Sequence, residues 1–151
     1  MEMQPAAQVL IRPLQKPEES RICAGWMTNS EPWITLRTTY ENALKALTDP
    51  SREVYVACHK DTTAGFVILE LQGPFSGYLR TICVAPEYRN LGIGRKLIAF
   101  AEERIFRDSP NVFLCVSSFN TRAQKFYARL GYERVGELKD YVVKGHAEIL
   151  M

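Results

Sequence analysis

Thr81 to Leu97, TICVAPEYRNLGIGRKL, joins an apolar strand to an amphipathic helix through a glycine-containing loop. The strand ends at Val84, Pro86 stops it, and Arg89-x-x-Gly92-x-Gly94 opens directly onto the helix. Glycines at 92 and 94 let consecutive backbone N–H groups turn toward one point, and a helix N-terminus adds about half a positive charge there. The segment therefore predicts an anion cradle. Two commoner phosphate motifs fail: the dinucleotide fingerprint needs a third glycine where Leu97 stands, and no Gly-Lys-Ser/Thr exists for a P-loop.

Outward from this segment, toward the C-terminus, Leu97, Ile98, Ala101 and Ile105 share one side of a helix predicted from about Gly94 to Arg107, with Glu103 and Arg107 spaced for an exposed i,i+4 ion pair. Ser109-Pro110 ends it. Val112 to Val116 has no polar alternation, as expected of a strand covered on both faces. Asn120 or Thr121 is placed to cap a last helix bearing Ala123, Phe126, Tyr127 and Leu130, with Gly131 just past its end. Tyr132 to Gly136 and Tyr141 to Met151 read as a closing hairpin.

Toward the N-terminus, Gln8 to Pro13 reads as a first strand. Pro17 suits a first helical turn, followed by Ile22, Cys23, Trp26 and Met27 at helical spacing. A second helix from about Thr39 carries Tyr40, Ala43, Leu44 and Leu47, with Pro50 beyond its end. Glu53 to His59 and Ala64 to Leu71 flank the turn Lys60 to Thr63, Gln72 to Gly77 forms a second turn, and Tyr78 to Val84 is the next strand. The order is β-α-α-β-β-β-α-β-α-β-β, a mixed α/β fold with helices on both faces of one sheet.

At 151 residues the chain is the size of one domain, and no repeat or linker divides it. With 19 Lys plus Arg against 17 Asp plus Glu, the net charge of +2 argues for neither nucleic acid nor membrane, so an anion site must be local. The longest apolar run, Ala64 to Leu69, is far below the roughly 20 residues of a membrane span. MEMQPAAQVLIRP lacks the basic and apolar regions of a signal peptide, and a cytoplasmic location is expected. Cys23, Cys58, Cys83 and Cys115 are widely spaced in apolar stretches, which predicts four buried free thiols and no metal site.

ICVAPEYRNLGIGRKLIAFAE resembles the acetyl-CoA-binding motif of the GCN5-related N-acetyltransferase (GNAT) superfamily: an apolar strand, Val-x-Pro, then Arg/Gln-x-x-Gly-x-Gly/Ala opening a helix. Asn120 to Tyr132 is similar to a second signature of that family, an Asn-led helix ending in Tyr-x-x-x-Gly-Phe/Tyr. The resemblance implies the GNAT fold over residues 1–151, a mostly antiparallel sheet of about seven strands. It also implies transfer of an acetyl group from acetyl-CoA to a primary amine by direct attack.

Residue by residue, the resemblance implies that Arg89, Asn90, Leu91, Gly92, Ile93, Gly94 and Arg95 cradle the CoA pyrophosphate. The pantetheine arm would pair with the strand ending Ile82-Cys83-Val84, with the N–H near Val84 facing the thioester carbonyl. Asn120 matches the residue that contacts pantetheine, and Tyr127 the tyrosine that protonates the departing thiolate. A phenol of pKa about 10 can give a proton to a thiolate of pKa about 8.5. Some relatives carry a general-base Glu where Cys115 stands, so that role does not transfer; Glu31, Glu70 or a water chain are the alternatives. Acceptor recognition is expected from Glu31, Trp33, Phe75, Tyr78 and Tyr141, with Asp140 and His146 in the same closing hairpin. His59 and His146 read as ordinary strand residues. The acceptor, an amine on a small molecule or a protein, is not readable, and neither is the oligomeric state, although dimers are common among relatives. A non-catalytic acyl-CoA sensor or regulatory domain is the competing reading. A thiol-based acyl-enzyme through Cys83 or Cys115 is disfavoured by their expected burial.

Overall fold

A computed structural model describes residues 8–151; most of the stretch read for a signal peptide lies outside them. The chain runs β1 (Val9–Pro13), α1 (Pro17–Thr28), α2 (Tyr40–Thr48), β2 (Glu53–His59), β3 (Thr62–Glu70), β4 (Tyr78–Val84), α3 (Ile93–Ile105), β5 (Phe113–Ser117), α4 (Thr121–Arg129), β6 (Gly136–Leu138) and β7 (Glu148–Leu150). This is the order expected from the sequence. One seven-stranded sheet results, ordered β1-β2-β3-β4-β5-β7-β6, antiparallel except where β4 meets β5.

Strand β3 shows how one sheet acquires two cores. Side chains alternate across a strand, so Val67 and Leu69 bury against α3, while Phe66 and Ile68 bury against α1 and α2. Leu97, Ile98, Ala101 and Ile105 cover the first face together with Tyr127. Cys23, Ala24, Met27, Ala43 and Leu47 cover the second. Gly65 permits the close approach of α3, since a Cβ there would lie 2.8 Å from the Cys83 carbonyl and 3.3 Å from Leu97 Cδ1.

Local expectations hold at the helix ends. Asn120 caps α4, its Oδ1 accepting from the Ala123 N–H at 3.2 Å, and Gly131 follows the helix with φ +94°. Three expectations need correction. The i,i+4 ion pair on α3 lies one position on: Arg104 binds Asp108 at 2.9 Å and also reaches across to Glu53 at 2.9 Å, which ties α3 to β2. The closing hairpin differs from the expected Tyr132–Gly136 and Tyr141–Met151: β6 begins only at Gly136, β6 and β7 have three residues each, and 139–147 form an irregular connection. Cys115 is only half-buried, unlike Cys23, Cys58 and Cys83. It sits where β4 and β5 part company.

Candidate active site

Strands β4 and β5 pair only through Tyr78 with Phe113 and Leu79 with Leu114. Beyond Leu79 they diverge, β4 continuing to Val84 and β5 to Ser117. The gap opens into a cleft of about 810 Å³. A splayed edge leaves backbone donors and acceptors of β4 available to an extended ligand, which is the condition for β-augmentation.

At one end of the cleft lies the loop before α3. The first backbone hydrogen bond of α3 is from Lys96 N–H to the Gly92 carbonyl, at 3.2 Å. Among the described residues, the N–H groups of Asn90, Leu91, Gly92, Ile93, Gly94 and Arg95 donate to no backbone carbonyl outside the regular elements. Asn90 and Gly92 take positive φ, +63° and +81°, which turns the intervening amides out of the helical path. Six adjacent N–H groups without a backbone partner at a helix N-terminus form an arrangement suited to an anion. Arg89 fixes the loop to the sheet, its Nε donating to the Val84 carbonyl at 3.3 Å. Arg122 braces it from α4, donating to Asn90 Oδ1 at 3.0 Å.

Ile82, Cys83, Val84, Arg89, Asn90, Gly92, Ile93, Gly94, Arg95 and Asn120 all line the cleft. Leu91 is 63% exposed and outside the cleft lining, which leaves its backbone N–H as the group available to the cradle. Tyr127 lines the same cleft at 7% exposure, with its ring edge-on to Phe126 and Tyr132. Burial raises its pKa above the usual tyrosine value. It therefore stays a neutral phenol, able to donate a proton, throughout the physiological range. Burial likewise pushes the Cys83 thiol up to about 12, against a small opposing effect of Arg89, and raises Cys115. Neither is a thiolate near pH 7, and neither is activated as a nucleophile.

The other end of the cleft is walled by Glu31, Trp33, Phe75, Tyr78 and Tyr141, all of which the sequence reading put forward. Glu31 is engaged: its carboxylate accepts from the Thr35 hydroxyl at 2.9 Å and the Thr35 N–H at 3.2 Å. Glu70 is ion-paired with Arg80 at 3.2 Å. Asp140 and His146 fall outside the lining; Asp140 accepts from Gly145 N–H at 2.7 Å, and His146 packs edge-on against Phe119. His59 packs against Tyr88.

Two lining residues escaped the sequence reading. Ser117 and Glu148 face each other across β5 and β7, 2% and 7% exposed. Ser117 Oγ and Glu148 Oε2 are both sealed and without hydrogen-bond partners. Burial raises the Glu148 pKa, while the nearby Ser117 hydroxyl opposes that shift. The signal was present in Ala147-Glu-Ile-Leu150, where one carboxylate interrupts an apolar strand. Among the described residues no cluster of metal-ligating side chains occurs, and no helix is long and apolar enough to cross a membrane.

Sequence relatives give this splayed sheet and its glycine-turned loop a family. The acetyltransferase (GNAT) family model matches residues 18–132, and the chain belongs to that family. It is 31% identical over 100 residues to an acetyltransferase-like protein of Bacillus subtilis, covering 64% of this chain and 62% of that one. It is 35% identical over 79 residues to an uncharacterised protein of Mycobacterium leprae, covering 50% of this chain and only 21% of that protein. The chain thus spans less than two-thirds of these relatives. An aminoglycoside 6'-N-acetyltransferase solved with coenzyme A superposes with a TM-score of 0.75 at 18% identity, covering 94% of both chains.

Proposed function

We propose that the protein transfers the acetyl group of acetyl-CoA to a primary amine, within a ternary complex and without an acyl-enzyme. The observation that carries this reading is the continuity of one cleft: unpaired N–H groups at residues 90–95 lie at one end, and Tyr127 lines the same space beside the diverging strands. CoA fits that layout with its pyrophosphate on the cradle and its pantetheine along Ile82 to Val84. Asn120 Oδ1 is used for capping, which leaves its amide N–H₂ to donate to a pantetheine carbonyl.

In the reaction, the amine lone pair attacks the thioester carbon and a C–N bond forms. The oxyanion is stabilised by a backbone N–H near Val84. The C–S bond then breaks and Tyr127 protonates the thiolate, after which the phenolate recovers a proton from the new amide nitrogen. Incubation with acetyl-CoA and a panel of primary amines, reading CoA thiol release and product mass, tests the proposal. Acetylated product is expected; CoA binding without product from any amine would instead favour a non-catalytic acyl-CoA sensor.

A further inference from the structure

The cleft lining contains several carboxylates, but they are not equivalent. Glu31 is held by Thr35 and Glu70 by Arg80. Glu148 has no ion-pair partner among the described residues. It is 7% exposed, it lines the cleft, its Oε2 is buried without a hydrogen bond, and the side chain facing it across the sheet is the uncharged Ser117. A carboxylate desolvated without a counter-charge is destabilised, and a bound cation or donor relieves it.

We propose that Glu148 receives the acceptor's ammonium group, holding it by charge and removing its first proton before the amine attacks the thioester. This rests on the acetyl-transfer reading above and adds the identity of the base. Glu148 also lies past the end of the family match at residue 132, in the part of the chain where acceptor specificity can be particular to this protein.

The surroundings suit this task. Across β5, Glu148 meets Ser117 and acts on the Cys115 thiol. On β6 its partner is Leu138, which brings no charge. Tyr78 of β4 approaches through Cys115, and Tyr141 acts on Tyr78; both phenols line the cleft. Arg80, a cation acting on Tyr78, is held by Glu70. An incoming ammonium is therefore the natural counter-charge. The desolvated carboxylate binds it and is a stronger base than an exposed one.

The protons balance. An ammonium carries three and the product amide one, so two must leave the nitrogen. The first passes to Glu148 and on to solvent. The second replaces the proton that Tyr127 gives to the CoA thiolate. The net reaction is ammonium plus acetyl-CoA giving amide, CoA thiol and one proton.

The test compares wild type, Glu148→Gln and Glu148→Asp for amine acetylation across pH 6 to 10, with CoA affinity and thermal unfolding as controls. Glu148→Gln is expected to lower kcat/KM at pH 7 by about 100-fold or more, with CoA affinity unchanged. The deficit should shrink as pH approaches the amine's pKa of about 10.4, because solvent then supplies neutral amine. Glu148→Asp should recover part of the loss. A Glu148→Gln enzyme with wild-type kcat/KM and pH profile would overturn the assignment while leaving acetyl transfer intact. A wild type that acetylates no amine would overturn the underlying reading, and this proposal with it. Should Glu148→Gln fail to fold, wild type can be titrated with a tetraalkylammonium inhibitor: binding must tighten as pH rises through the carboxylate's titration, and pH-independent binding overturns the proposal.

Discussion

The Asn120 side chain and the Ala123 backbone N–H are 3.2 Å apart, and this single bond both starts α4 and aims Asn120 into the cleft. Two substitutions separate the two consequences. Asn120→Asp keeps the cap acceptor and loses the amide donor, so thermal stability should stay near wild type while KM for acetyl-CoA rises severalfold. Asn120→Ala should add a loss of about 1 kcal/mol in unfolding free energy. Denaturant melts paired with acetyl-CoA titrations would check this, and an unchanged KM in Asn120→Asp would remove Asn120 from the CoA site.

Tyr127→Phe keeps the ring that packs against Phe126 and Tyr132 and removes only the hydroxyl. The expected result is a fall in kcat of about 100-fold or more at saturating substrates, with KM for acetyl-CoA little changed. Because burial holds the Tyr127 pKa above its ordinary value, wild-type kcat should show no loss from Tyr127 ionisation below about pH 10. Steady-state kinetics at several pH values measure both effects. An undiminished kcat in Tyr127→Phe would exclude the proton-donor role.

The cradle was legible because its chemistry is local. Gly92, Gly94 and the following apolar stripe lie within one loop and two helical turns, so spacing places a turn of backbone N–H groups at a helix start. The cap by Asn120 and the apolar face carrying Tyr127 were legible within one short element, while their site roles rest on the family resemblance. Glu148 was not, because its character depends on β7 lying beside β5, a pairing of residues about thirty positions apart. In sequence it is one charge in an apolar run; only the sheet shows that the charge is turned inward without a partner. The displaced ion pair on α3 has a similar origin, since Arg104 is drawn by Glu53 of β2, 51 positions away. The three-residue β6 and β7 were overread because apolar residues in 139–147 resemble strand while Asp140 and Gly145, both at positive φ, break it.

Gly77 and Gly92 have nearly the same backbone conformation, φ +79° and +81°, yet different surroundings. A Cβ at Gly77 would stand 2.5 Å from the Asn111 carbonyl and 2.6 Å from Ile105 Cγ2, whereas one at Gly92 meets nothing within 4 Å. Gly77→Ala is therefore expected to destabilise by more than the roughly 1–3 kcal/mol of the strained backbone alone. Gly92→Ala should cost only that strain, and its added methyl would project at the cradle and weaken acetyl-CoA binding. Thermal unfolding and CoA calorimetry on both variants should give opposite rankings, with Gly77→Ala worse in stability and Gly92→Ala worse in affinity.

Burial of Glu148 also has a thermodynamic consequence that does not depend on catalysis. Its folded pKa is raised, so the folded state binds the proton more tightly than the unfolded state does. By linkage, stability then falls as pH rises from the ordinary carboxylate value of about 4.3 through the raised one. The native protein bears the full cost of burying this group at pH values above the raised pKa, and below pH 4 it does not. Glu148→Gln, uncharged at every pH and nearly the same shape, should thus melt above wild type at pH 7, with the gap closing toward pH 4. Each kcal/mol relieved corresponds to about 2–4 °C for a chain of this size. A constant gap across that range, measured by calorimetric melts at matched ionic strength, would mean that the Glu148 carboxylate is solvated in the folded protein. Saturation with an unreactive ammonium ligand should narrow the gap at pH 7, because the bound cation stabilises only the charged form.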